Sequence, residues 1–160
     1  MGIIFEKVSL CPHIVTLSYV SLFYRKNLLH EARKFRVQVN WRQEIISGSQ
    51  GLNVTFDGPI TDHELSDDCG VMIMGNEPDK FWHDNKGAKL NAIRTRKGLM
   101  DADIVVVRFG EKYKQWNAAF DAGFAAANGK SLIVMHSKEH QHALKEVDAA
   151  ALAVVENPDQ

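Results

Sequence analysis

Asp121 stands in the run Trp116-Asn-Ala-Ala-Phe120-Asp-Ala-Gly-Phe124, where a carboxylate is out of keeping with its neighbours. Asn117, Phe120, Asp121 and Phe124 recur at i, i+3, i+4 and i+7, so on a helix they share one broad stripe. The bulky residues predict that Phe120, Gly123, Phe124 and Ala127 face the interior, with Asp121 at the edge of that face. A carboxylate half-buried beside two phenylalanines is costly unless something pairs with it. In the second turn it also gains a little from the helix's positive end. The plainer explanation is a solvated aspartate at a helix margin. Tyr113, Gln115, Trp116 and Asn117, which precede it at the mouth of a loop, shift the balance towards a site. An ionised carboxylate so placed can attack an electrophilic carbon or stabilise a positive charge developing there.

The elements that must position this residue read clearly. Ile104–Val107 is a short apolar run bounded by polar residues, the pattern of a strand buried on both faces. A polar loop, Gly110–Gln115, leads into a helix over Trp116–Asn128. Gly129-Lys130 ends that helix, and Leu132–Met135 is a second buried strand. Strand, helix and strand form a βαβ unit, which belongs in a parallel sheet. Ligands of open sheets bind beyond the carboxyl ends of the strands, here the loop Phe109–Gln115 and the start of the helix.

Two further stretches carry residues that can bind. A helix over Ala88–Asp101 puts Asn91, Arg94 and Thr95 on one face, with Arg96 displaced from it. Arg94 and Arg96 can clamp a carboxylate or phosphate through paired donors, or can be ordinary surface charges. His63, Asp67, Asp68 and Cys69 gather in a second stretch. Asp67 and Asp68 are adjacent and no other cluster supplies ligands at fixed spacing, so capping or hydrogen bonding to a sugar or loop is favoured over a metal site. His136, His140 and His142 follow the last strand of the βαβ unit and are explained by a solvated loop and helix surface. No metal and no cofactor is expected.

The rest of the chain is consistent with a single ordinary domain of 160 residues. A net charge of −1 gives no electrostatic reason to expect nucleic acid or an acidic membrane surface. Cys11 and Cys69 are far apart and read as free thiols in a reducing, cytoplasmic setting. Ile14–Tyr24 is too short to span a bilayer, lacks the flanks of a secretory signal, and reads as extended or partly helical. A basic helix over Lys26–Phe35 follows. From Trp41 the pattern gives a helix over Arg42–Ser49, a strand over Leu52–Phe56 and a short helix opened by the capping-box spacing of Thr61-Asp-His-Glu64. Gly75–Gly87 reads as a polar loop centred on Phe81-Trp82-His83, either a lid over the site or a packed surface loop. A helix over Glu139–Ala149 and a strand over Ala151–Val155 close the chain. The fold class is α/β: an open, mostly parallel, flavodoxin/Rossmann-like sheet of 4–5 strands with helices on both faces. Residues 1–40 form an atypical, loosely packed segment, and 41–160 the domain.

The runs FGEKYKQWNAAFDAGFAAANGKSLIV, GPITDHELSDDCG and NAIRTRKGLMDADIVVV closely resemble the YtoQ family, grouped with the nucleoside 2-deoxyribosyltransferases. The resemblance covers Trp41 to Gln160, about three quarters of the chain. The wider superfamily carries Gly-Thr-x-x-Glu-x-Gly-x-Ala on this helix, its Glu attacking an anomeric carbon. The matching residues here are Asn117, Ala118, Asp121, Gly123 and Ala125, so the resemblance implies Asp121 as nucleophile, one methylene shorter. Two other acidic positions of the superfamily fall on Thr95 and Gln115. Relatives open with a strand, a Gly-containing loop and a His before the Trp-Arg pair; here Trp41-Arg42 follows Phe35–Asn40, which has neither Gly nor His. Relatives also continue into a further helix, so one sheet face is expected to lack cover.

The resemblance implies chemistry at the N-glycosidic bond of a nucleoside or nucleotide-like molecule. Asp121 would be the catalytic residue, Tyr113 and Trp116 an aromatic wall for the base, and Asn117 a partner for a sugar hydroxyl. Gln115, Asn91, Arg94, Arg96, His63, Asp67 and Asp68 complete the candidate ligand-binding set. A homo-oligomer is implied as well, since homologous enzymes share pockets between subunits. Two alternatives stand beside this reading: a non-catalytic nucleotide-binding module, and a chain disabled by its altered start.

Overall fold

Five parallel strands make up the sheet among the described residues, which in this computed structural model are 13–18, 41–60, 62–110 and 116–160. They are β1 (His13–Ser18), β2 (Val54–Asp57), β3 (Ile104–Arg108), β4 (Ser131–Met135) and β5 (Ala153–Val155), side by side in the order β2-β1-β3-β4-β5. Every pairing is parallel. The strand order reverses direction between β1 and β3, which places the topological switch point of an open α/β sheet there. The α/β class and the parallel sheet follow the expectation from the sequence.

β1 lies within the first 40 residues, and the sheet takes from there an interior strand, between β2 and β3. Val15 and Thr16 are registered against Phe56 and Asp57 on one side and against Ile104 and Val105 on the other. The Lys26–Phe35 helix, the part of Ile14–Tyr24 beyond Ser18, Cys11 and Thr61 lie outside the described residues.

Six α-helices accompany the described strands: α1 (Trp41–Gly48), α2 (His63–Asp67), α3 (Cys69–Met74), α4 (Lys80–Asp101), α5 (Trp116–Ala127) and α6 (Gln141–Ala150). Leu99 of α4, Ala118, Ala122 and Ala125 of α5, and Leu144 and Val147 of α6 cover one face. They meet Val105, Val107, Leu132 and Val134 of the sheet. On the other face Trp41 and Ile45 of α1 pack near Val106 and Met135. The alternation of side chains along a strand sends neighbouring residues to opposite faces, so β3 and β4 serve both layers.

Several boundaries differ from those expected. α4 does not begin at Ala88 but at Lys80, so Phe81, Trp82 and His83 form its first turn and are not a lid. The Asp79 side chain accepts from the Phe81 and Trp82 amides at 2.8 and 3.4 Å, a local cap that starts the helix there. The short helix α2 is capped by Asp62, which accepts from Leu65 N at 3.0 Å, and not by Thr61. β2 starts at Val54 because Leu52 and Asn53 still belong to the turn around Gly51, whose φ is 90°. β5 is confined to Ala153–Val155, and a short 3-10 turn, Lys138–His140, precedes α6.

α5 faces the sheet with a different side from the one its phenylalanines suggested. Ala118, Asp121, Ala122 and Ala125 are buried, whereas Gly123 and Ala127 are exposed and Phe120 is 74% exposed. Phe124 is half-buried against the core. Alanines at i, i+4 and i+7 let the helix axis approach the strands closely, and two phenylalanines at the same positions would hold it away.

Candidate functional site

A cleft of about 1000 Å³ opens between the end of β2, the short helix α2, the long helix α4 and the first two turns of α5. Its volume lies at the upper end of the range for small-molecule sites. Asn117, Phe120, Asp121 and Phe124 line it from α5. Asn91, Arg94, Thr95 and Arg96 line it from α4, and Asp57 and Asp67 from the β2–α2 side.

Asp121 lies deeper than the sequence suggests: the residue is 7% exposed rather than at the margin of the helix, yet it borders the cleft. Neither Asp121 nor Asn117 is without a partner, as the cost of burying a carboxylate demands. Its depth follows from the rotation of α5, because the alanine stripe that meets the sheet carries Asp121 inward.

α4 serves as both wall and scaffold. The Asn91 amide donates to the Ser66 carbonyl and hydroxyl oxygens, both at 3.0 Å, so this side chain ties α2 to α4 rather than standing free for a ligand. The Cys69 thiol donates to the same Ser66 carbonyl at 3.1 Å and is a buried free thiol. Below this contact the backbones of α3 and α4 touch. A Cβ on Gly70 would lie 2.3 Å from Gly87 N, and one on Gly87 2.6 Å from Asp67 O. Only glycine permits so close an approach, and that approach sets Asp67 on the cleft.

Not every candidate converges. Trp116 is exposed at the start of α5 and does not line the cleft among the described residues. Asp68 is turned to His83, whose Nε2 lies 3.2 Å from Asp68 Oδ1, and it likewise stands apart from the lining. Tyr113 and Gln115 lie outside the described residues, as does the side chain of His63. The lining also includes Asp57, Asp84 and Phe120, which were not expected there. Asp57 could have been found as the residue that ends a parallel strand, the position at which such sheets meet their ligands.

His136 corrects another expectation: it is buried and not part of a solvated histidine surface. Its Nε2 lies 3.0 and 3.1 Å from the two Asp148 carboxylate oxygens, and its Nδ1 2.7 Å from the Ser137 carbonyl oxygen. The ring therefore fastens the end of β4 to α6. His140 Nδ1 lies 3.0 Å from Ser137 Oγ. Among the described residues no three His, Cys, Asp or Glu side chains converge as metal ligands, and no helix is long and apolar enough to cross a membrane.

Comparison with known proteins adds to this geometry. The family described as nucleoside 2-deoxyribosyltransferase YtoQ matches residues 35–160. The chain is 41% identical over 126 residues to the "Uncharacterized protein YtoQ" of Bacillus subtilis (strain 168), a match that spans 78% of this chain and 85% of that protein.

Proposed function

The chain belongs to the nucleoside 2-deoxyribosyltransferase YtoQ family, and from that premise we propose that its cleft binds a nucleoside or nucleotide-like molecule and acts on the N-glycosidic bond, with Asp121 as the attacking carboxylate. The observation that carries this reading is a carboxylate, buried to 7% exposure, on the wall of a cleft large enough for such a ligand. A Asp121 oxygen would form a bond to the anomeric carbon while the base leaves with the bonding electron pair and takes a proton from solvent. Water would then release the sugar, or a second base would accept it. Asn117, one turn earlier on the same wall, is placed to bond a sugar hydroxyl.

Thr95 on the cleft wall and Gln115 before α5 favour a second reading. Neither ionises, so two positions that are acidic in the wider superfamily carry no charge here, and a non-catalytic nucleotide-binding module accounts for them. A homo-oligomer and a reducing, cytoplasmic setting belong to the first reading, the latter supported by the free Cys69 thiol.

Asp121→Asn separates the two. The amide occupies the same space without the charge, so any release of free base from nucleosides or nucleoside monophosphates, followed by chromatography, is expected to vanish while the melting temperature stays close to that of the wild type. Equal release from both proteins removes Asp121 from the mechanism. Binding without release from either favours the binding module. A large fall in melting temperature gives Asp121 a structural role.

A further inference from the structure

The seat of Arg96 narrows the substrate class, and this inference rests on the reading above that the cleft takes a nucleoside-like ligand. The guanidinium carbon of Arg96 lies 5.8 Å from the centre of the Phe124 ring, so the side chain reaches from α4 across to α5. A contact with a ring face takes none of the guanidinium's N–H donors in a conventional hydrogen bond. Among the described residues no carboxylate takes those donors. Its neighbour Lys97 differs: Asp101 accepts from its ammonium, and that hydrogen bond holds the Lys97 pKa above its usual value. Lys97 is committed within its own helix, and Arg96 is not.

Position matters as much as availability. Phe124 follows Asp121 by three residues, about 4.5 Å of helix rise, so the cation sits about one turn along the wall from the carboxylate. Phe120 precedes Asp121 by one residue, lines the same cleft and is 74% exposed, although an aromatic ring on a helix otherwise rich in alanine would be expected to turn inward. Along α5 the cleft therefore offers a free aromatic face, a buried carboxylate and an uncommitted guanidinium. A neutral nucleoside has parts to meet the first two, a base and an anomeric carbon, and nothing charged for the third. Asp57 and Asp67 line the β2–α2 side, so a dianion in the cleft is repelled from that side and drawn towards the arginines.

We propose that the cleft selects nucleoside 5′-monophosphates over nucleosides, with Arg96 on Phe124 binding the phosphate and Phe120 stacking on the base. The phosphate takes the in-plane donors of Arg96 in the paired geometry that a guanidinium offers. A charge-assisted contact of this kind is expected to make a monophosphate bind about ten-fold or more tightly than its nucleoside.

The test measures binding and does not require turnover. Dissociation constants are determined by calorimetry for the deoxy- and ribonucleoside 5′-monophosphates of the common bases and for the matching nucleosides, with the wild-type chain and with Arg96→Ala, Arg96→Lys, Phe120→Ala and Lys89→Ala. Arg96→Ala is expected to remove the preference for the monophosphate and leave nucleoside affinity nearly unchanged. Arg96→Lys keeps the charge without the planar fork and is expected to restore a minor part of the preference. Phe120→Ala is expected to weaken both ligand classes by the same factor, and Lys89→Ala, outside the cleft lining, to weaken neither. Inorganic phosphate is expected to compete with the monophosphates and not with the nucleosides. Equal affinity of wild type for nucleosides and monophosphates, no binding of any monophosphate, or a preference that survives Arg96→Ala each overturns the proposal. Tight, Arg96-dependent binding of monophosphates without base release sinks the glycosidic reading and leaves this one standing. Release of base from nucleosides, with no gain from a phosphate, does the reverse.

Discussion

Leu132 and Ile133 are neighbours in β4, and they separate the two faces of the sheet. Leu132 is 1% exposed beneath α5 and α6, whereas Ile133, turned towards the α1 side, is only half-buried. β3 repeats the difference: Val105 and Val107 are fully buried, and Ile104 between the same strands is not. On the first face α4, α5 and α6 lie over the strands; on the second, among the described residues, α1 contributes Trp41 and Ile45. Among the described residues the buried side chains of the second face are Trp41, Val106 and Met135. The cleft belongs to the three-helix face, since its walls are α4 and α5. Stability and the candidate chemistry are thus concentrated in one layer, and a site built there inherits the rigidity of close packing.

Substitutions along the two faces test this contrast. Leu132→Ala removes a fully buried side chain from the three-helix face and is expected to cost about 2–5 kcal/mol, read from the shift of the urea midpoint. A loss below 1 kcal/mol would mean that this face is far looser than its burial implies. Gly70→Ala comes next. Its Cβ would lie 2.3 Å from the Gly87 backbone nitrogen, so α3 must move off α4, at about 1–3 kcal/mol. Because the same contact sets Asp67 on the cleft, this variant is also expected to weaken ligand binding.

Ile133→Ala sharpens the comparison, being one residue from Leu132 and on the other face. Half-burial limits its cost to about 1–2 kcal/mol, and denaturation beside Leu132→Ala gives the ratio directly. If the two variants lose equal stability, the faces are equally covered and the contrast fails. The smallest effect is expected from Phe120→Ala, within about 0.5 kcal/mol, since the ring is 74% exposed. A loss of about 3 kcal/mol or more would restore the orientation in which Phe120 faces the sheet.

How much of this was legible before folding depends on the range of the forces involved. The strand Ile104–Val107, the turn at Gly129 and the strand at Leu132–Met135 are local patterns, and β3, α5 and β4 appear within a residue or two of the expected bounds. Their parallel pairing follows from the connection between them. The start of α4 was legible too, in Asp79 placed to cap the next residues, but the aromatic triplet Phe81–His83 obscured it. Asn117, Asp121 and the α4 residues Asn91, Arg94 and Thr95 share faces by helical spacing, and they line one cleft together with Arg96, which that spacing placed off the α4 face.

The chain by itself determined which segments become strands and helices, because capping, turn chemistry and apolar runs act over a few residues. It also determined that a carboxylate would lie on the helix that follows β3. It did not determine how that helix is turned. α5 reads Trp-Asn-Ala-Ala-Phe-Asp-Ala-Gly-Phe-Ala-Ala-Ala, apolar on nearly every side, so no hydrophobic stripe selects one face. The choice falls to packing against Val105, Val107, Leu132 and Val134, and small side chains allow the closer fit. That fit turns Phe120 out to the cleft and Asp121 in beside it, and brings Phe124 beneath an arginine of a helix twenty-eight residues earlier in the chain, a contact with no local signature.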